Sequence, residues 1–160
     1  MENKHNLKWV VVPFHSLSVE ALYQILRLRS KVFVVEQKCN FLDADNKDQQ
    51  CMHVLGYAGS ELVAYSRIVP AGLSYPYPSI GRIVVSANGR GKGWGAALLQ
   101  TSIAELEKRY GLTTIRIGAQ AHLHEFYGLF GFEQTSGIYL EDAIEHIEMT
   151  RQPALPHAGA

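Results

Sequence analysis

Neither sign of charge predominates in this sequence. Its 160 residues carry 15 Lys and Arg against 15 Asp and Glu, a formal net charge of zero. That balance removes the bulk attraction expected of a nucleic-acid or membrane-surface protein, so any basic site must be local. Long apolar runs are missing too, and none approaches the roughly 20 residues that span a bilayer. The first residues, MENKHNLK, are polar and lack the apolar core of a signal peptide. The expected setting is the cytoplasm. Cysteine is scarce. Cys39 and Cys51 fit free thiols there, although an oxidising compartment would let them pair. No repeat or linker interrupts the chain, so residues 1–152 are expected to form one domain, with the tail PALPHAGA (153–160) disordered.

What is present is an alternation of strand and helix patterns. LKWVVVP (7–13) predicts a strand. Ser18 is a candidate N-cap, and Glu20 suits the first helical turn. ALYQILRLRSKVF then has helical spacing, and a helix persisting to Glu36 places Arg29 and Glu36 on the apolar stripe. QKCNFLDADNKDQQ (37–50) is a polar loop. CMHVLGYA, Gly59-Ser60 and ELVAYSRIVPA predict a hairpin. IGRIVVS, GAALLQTSIAELEKRY, TTIRIGAQ, HLHEFYGLFGF and HIEMTRQ follow as strand, helix, strand, short helix and strand. The order predicts an α/β domain around a mixed sheet.

Glycine is concentrated in one place. VVSANGRGKGWGAALL (84–99) has four glycines between Gly89 and Gly95, with Arg90 and Lys92 between them. Backbone N–H groups at a helix start, made approachable by glycine, suit a phosphate or pyrophosphate. A P-loop is excluded, because Gly93 follows Gly91-Lys92 and Ser86 stands where the first glycine belongs. A dinucleotide fold is excluded as well. The next strand ends Gly118-Ala119-Gln120 without an acid, and too little chain follows.

Arg90-Gly91-Lys92-Gly93-Trp94-Gly95 resembles the coenzyme A loop of the GNAT superfamily of N-acetyltransferases. Phe126-Tyr127-x-x-Phe130-Gly131-Phe132 resembles a second segment of that family. LRSKVFVVEQ, DADNKD, AQAHLHEFYGLFGF and YLEDAIEHIEM are similar to its ElaA-type branch. Ala87 departs from the pattern, where proline is frequent. The resemblance implies a three-layer α/β fold with a central mixed, mostly antiparallel sheet flanked by helices. It implies acetyl-CoA as co-substrate, no metal, and a primary amine acceptor, either a small molecule or a peptide. Nucleic acid and membrane are not expected partners, and monomer and homodimer both stay open.

By resemblance, Ile83, Val84 and Val85 offer backbone to the pantetheine arm. Arg90, Gly91, Lys92, Gly93, Trp94, Gly95 and Ala96 surround the pyrophosphate, and Gln120 matches a cofactor-contacting asparagine. Tyr127 is the candidate acid for the departing thiolate, although its place on the Leu123/Phe130 stripe also fits plain core. Glu36 is the first candidate base, since an acid on an apolar face is expected to have a raised pKa. An ion pair with Arg29 is the other account of it. Asp43, Asp45, Glu141, Asp142, His146 or a water relay are alternative bases. Arg29, Glu36, Phe41 and Asp45 are candidate acceptor-site residues, and Tyr127 and Glu36 the candidate catalytic pair.

Two further functions compete. A non-catalytic coenzyme A sensor needs the loop without the chemistry. An acyl-homoserine-lactone-synthase-like enzyme shares a helix start similar to Arg29-Ser30-Lys31-Val32-Phe33, but is usually longer and has a less complete glycine loop. DADNKD fails as a calcium loop, because Lys47 takes a ligand position and Asp48 the glycine's. His122 and His124 face apart on a helix, without a third partner at zinc spacing.

Overall fold

The computed structural model describes residues 6–154. The first five residues, and 155–160 of the expected tail, lie outside the described residues. Among the described residues, eight strands and three α-helices form the frame: β1 Lys8–Pro13, α1 Val19–Arg29, β2 Met52–Ala58, β3 Glu61–Val69, β4 Ser79–Val85, α2 Trp94–Tyr110, β5 Ile115–Gln120, α3 His124–Gly128, β6 Phe132–Gln134, β7 Tyr139–Glu141 and β8 Ile144–Arg151. The short strands β6 and β7 have no counterpart in the sequence expectation. Three residues are too few to show a period of two.

The strands make two antiparallel sheets, ordered β1-β2-β3-β4 and β5-β8-β6, with β7 also on β8. β4 and β5 are neighbours without a ladder. One backbone bond joins them near their starts, where the Arg116 N–H donates to the Pro78 carbonyl at 3.2 Å. The chain returns along α2 between them, so these two strands run parallel. The arrangement is therefore mixed and mostly antiparallel, with a gap at its centre.

Helices cover both faces. On one face Ile25 and Leu28 of α1, with Val32 beyond it, pack on Leu55, Tyr65 and Val84. On the other, Leu98, Leu99, Ile103 and Leu106 of α2 pack on Val54, Ala64, Ile68 and Ile80, and on Ile115, Ile117, Ile147 and Met149 across the gap. One polar contact crosses this second layer, a hydrogen bond of 2.7 Å between the buried hydroxyls of Ser66 and Ser102.

α1 starts as expected, with Ser18 Oγ accepting from the Ala21 N–H at 3.0 Å. Its end differs. From Ser30 to Glu36 the winding is that of a π-helix. An α-helix turns roughly 100° per residue, so seven steps return to one face. The wider i→i+5 winding turns less per step, and Glu36 leaves the face of Arg29.

β4 contains a bulge. Tyr65 pairs with Val84 and Arg67 with Gly81, so Arg82 and Ile83 together oppose Ser66. Arg82 takes φ 50°, in the left-handed region. The extra residue inverts the phase of the strand. Ile80 faces α2 while Val84, four residues on, faces α1.

Leu98 is fully buried where α2 spans both sheets. Leu98→Ala is expected to cost about 3 kcal/mol in urea denaturation, from lost burial plus the cavity left behind.

Candidate active site

The gap between β4 and β5 opens into a cleft of about 1300 Å³. Its walls include Ile83, Val84 and Val85 from β4, Gln120 from β5, and Tyr127 from α3. At one end lie Arg90, Gly91, Gly93, Trp94 and Gly95, with Glu36 against Arg90; at the other lie Phe41 and Asp45. The structure thus brings thirteen of the sixteen sequence-derived site residues to one cavity. Arg29, Lys92 and Ala96 do not line it.

The glycine end follows from local geometry. Gly91 and Gly93 have φ of 80° and 78°, and a Cβ on either would meet no atom within 4 Å. Gly93 is the N-cap of α2. It has no side chain to cap the helix, and no acid stands in the first turn. The positive end of a 17-residue helix therefore opens on clear space. Gly89 is held for a different reason: a Cβ there would come within 2.2 Å of the Trp94 ring. Lys92 lies with its ammonium 4.9 Å from the centre of that ring.

The opposite end is set by charge. Three arginines and three aspartates alternate in a closed ring. Arg29 contacts Asp43 and Asp48, each at 2.8 Å. Arg67 contacts Asp48 at 2.9 Å and Asp45 at 2.6 Å. Arg82 closes the ring on Asp45 at 3.4 Å and on Asp43 at 2.9 Å. The last contact is an ion pair without a hydrogen bond, since neither Arg82 Nε nor Asp43 Oδ1 finds a bonding direction. Each charge has two opposite neighbours, which compensates the cost of burying it. His53, fully buried beside the ring, links the Asp48 carbonyl to the Tyr65 hydroxyl.

This ring corrects three expectations. Arg29 is 1% exposed and turned into the ring, so it cannot touch an acceptor. Glu36 pairs with Arg90, not Arg29. Its carboxyl pKa is lowered, first by the hydrogen bond from Arg90, so the reason for choosing it as base is gone. Asp45 reaches the cleft, but its burial is outweighed by the Arg67 hydrogen bond, and its pKa is held well below the carboxylate range. Asp43, Asp48, Arg67 and Arg82 as partners of one ring were missed. DADNKD carries the acidic half of the signal, but nothing local names the arginines.

Tyr127 is 6% exposed, and burial pushes its phenol up to about 12. It is both core and cleft wall, and at neutral pH it carries its proton. Gln120 reaches across the gap, donating from Nε2 to Gln37 Oε1 at 3.2 Å.

The GNAT acetyltransferase domain family matches residues 24–153. The chain belongs to this family. Within it, the chain falls in the ElaA-like branch. It is 41% identical over 89% of its length to a UPF0039 protein of Synechocystis, covering 94% of that protein. It is 38% identical to Escherichia coli ElaA, whose crystal structure superposes with a TM-score of 0.86 over 91% of this chain and 99% of that one. An acyl-CoA N-acyltransferase from Pseudomonas aeruginosa gives 36% identity and a TM-score of 0.87 over the same shares. The family is one of acyltransferases that use acyl-CoA, and the fold here is theirs. Among the described residues, no three His, Cys, Asp or Glu side chains are grouped as a metal site needs, and no helix is long and apolar enough to cross a membrane.

Three outcomes check this account. Asp48→Asn leaves Arg29 and Arg67 each short of a buried partner, and is expected to cost about 3 kcal/mol in urea denaturation. The pKa values of Asp45 and Asp48 are lowered on folding, so their stabilisation is complete above the unfolded value of about 3.9 and is lost as pH falls below it. Wild-type stability should therefore drop steeply below about pH 4, and the Asn variant should drop less. By contrast, Glu36→Gln breaks a surface pair, with side chains 38% and 48% exposed, and should change stability by less than about 0.5 kcal/mol.

Proposed function

We propose that the protein is an N-acetyltransferase that moves the acetyl group of acetyl-CoA to a primary amine, of a small molecule or a peptide, by direct attack in a ternary complex. The observation that carries this reading is the cleft itself. It joins an uncapped helix N-terminus, suited to a pyrophosphate, to a break in the sheet where the edge of β4 has no ladder partner. Residues 1–152 act as one acetyltransferase domain in this reading. It operates in the cytoplasm, where Cys39 and Cys51, both buried and free, stay reduced.

The residues present fit coenzyme A. The open space beside Gly91 and Gly93 admits phosphate oxygens to the amides of the turn. Arg90 supplies a cation, and Lys92 and Ala96 extend the cradle around its outer side. The free edge of β4 at Ile83, Val84 and Val85 offers N–H and C=O groups to an amide-bearing arm, as a strand would. Gln120 faces that arm from β5. When bound, the co-substrate supplies an acyl carbon activated by a thiol leaving group.

The chain supplies the rest. The bulge at Arg82 and Ile83 turns backbone donors out of the β3–β4 ladder, and one of them polarises the carbonyl under attack. Tyr127 holds its proton until the leaving sulfur needs it. Glu36 steadies Arg90 rather than removing a proton. Phe41 and Asp45 border the acceptor, Phe41 with its ring 5.5 Å from the Arg82 guanidinium carbon.

Thiol release from acetyl-CoA with a panel of amines tests the activity. Turnover with at least one amine is expected. Tight binding with no turnover on any amine points instead to a sensor. Gly93→Asp tests the cradle. At φ 78° a side chain is strained, and a carboxylate there occupies the anion's place. Calorimetry should show acetyl-CoA affinity reduced by on the order of 100-fold or more while the protein remains folded. Unchanged affinity in a folded variant would contradict the assignment.

A further inference from the structure

The cleft passes through the sheet, and its two faces differ. Ile117 and Ala119 of β5 point into the α2 core, with Ile147 and Met149 of β8. Gly118 and Gln120 therefore point to the other face, where the charge ring lies. His146 is paired directly with Gln120, so it shares that face and lines the cleft. Tyr127 belongs to the α2 side. A group reacting between these faces has a phenol on one side and an imidazole on the other.

The imidazole is well prepared. His146 Nδ1 lies 2.8 Å from the Ile144 carbonyl oxygen. A carbonyl only accepts, so Nδ1 carries the proton and Nε2 keeps its lone pair. Nε2 lies 3.7 Å from Glu141 Oε2, so an imidazolium formed there faces a carboxylate. The Tyr139 ring stacks at 6.0 Å and fixes the plane. The hydroxyls of Tyr75 and Tyr139 meet over Gly118, where a Cβ would approach them to 2.9 and 3.3 Å. The side chain is 13% exposed, enough to be reached from the cleft. The other titratable groups near it are Asp142 at the turn between β7 and β8, Glu148 two residues along its own strand, and the two tyrosines. The Ile144 carbonyl thus orients the ring through Nδ1 and leaves Nε2, on the Glu141 side, as the basic nitrogen. Asp43, Asp45 and Asp48 at the acceptor end are held by arginines.

We propose that His146 is the general base of the transfer, taking a proton from the acceptor ammonium through Nε2, with Glu141 stabilising the imidazolium. This rests on the acetyltransferase reading above. The ammonium gives one proton to Nε2. The freed nitrogen pair forms the N–C bond to the acyl carbon as the C–S bond breaks, its electron pair leaving on sulfur. Tyr127 protonates that sulfur. The second proton lost by nitrogen restores the phenol, and His146 returns the first to solvent. The products are an amide, a thiol and one released proton.

The test has two parts. In the ligand-free protein, nitrogen-15 NMR of the histidine rings, with His146→Gln identifying the signal, should show the neutral His146 ring protonated at Nδ1 and not at Nε2. The opposite tautomer overturns the proposal. With the amine that the wild type turns over fastest, His146→Gln should lower kcat/KM about 100-fold at pH 7 and lose the fall in rate on the acid side, while calorimetric affinity for coenzyme A stays at the wild-type value. Glu141→Gln should keep the acid-side fall and lose less rate. A His146→Gln variant with wild-type kcat/KM and profile overturns the assignment and leaves the acetyltransferase reading intact. Absence of wild-type turnover on every amine overturns both.

Discussion

The structure depends on six charges that neutralise one another in a ring. Arg29 comes from α1, Arg67 from β3, Arg82 from β4, and the three aspartates from one loop. Buried ion pairs rarely add much net stability over an apolar core, but removing one member is costly. Their effect here is positional. The ring fastens a polar loop that has no strand or long helix of its own to the middle of the sheet. It also holds Arg82 in a left-handed conformation that a free chain avoids, at about 1 kcal/mol or more. The bulge in β4 is the backbone side of that same contact.

From the bulge follows the cleft. A regular β4 would present one alternating set of side chains to each helix layer. The inserted residue inverts the phase, so Ile80 serves the α2 core and Val84 the α1 core. The strand edge facing β5 is left without a ladder, and among the described residues the backbone bond from Arg116 to Pro78 joins the two sheets near the starts of β4 and β5. α2 closes one side of this gap and aims its N-terminus at one end. The charge ring closes the other side and has no net charge to offer. Proton chemistry on that face falls to side chains outside the ring.

The glycine end was legible in the sequence because it is local. Seven consecutive residues carry the turn, the helix start and the open space, and the segment around Tyr127 is equally compact. Strand and helix order was legible from periodicity, as was the Ser18 cap. The acceptor end was not. Asp43, Asp45 and Asp48 look like a failed calcium loop until three arginines from three distant elements are set against them. Arg29 and Glu36 share a face only on an α-helix, and a π-winding that the spacing does not reveal separates them. Glu36 then meets Arg90, a partner 54 positions away. Local patterns specify backbone, whereas charge partners are settled by topology.

The account holds that the glycine-loop face takes the donor and the ring face the acceptor. A crystal structure with coenzyme A bound tests this most directly. The account predicts the pyrophosphate against Arg90 to Ala96, the arm along Ile83 to Val85, the sulfur near Tyr127, and an unbroken ring with His146 still open to solvent. Phosphates held instead by Arg67 or Arg82, with the ring opened to receive them, would contradict it.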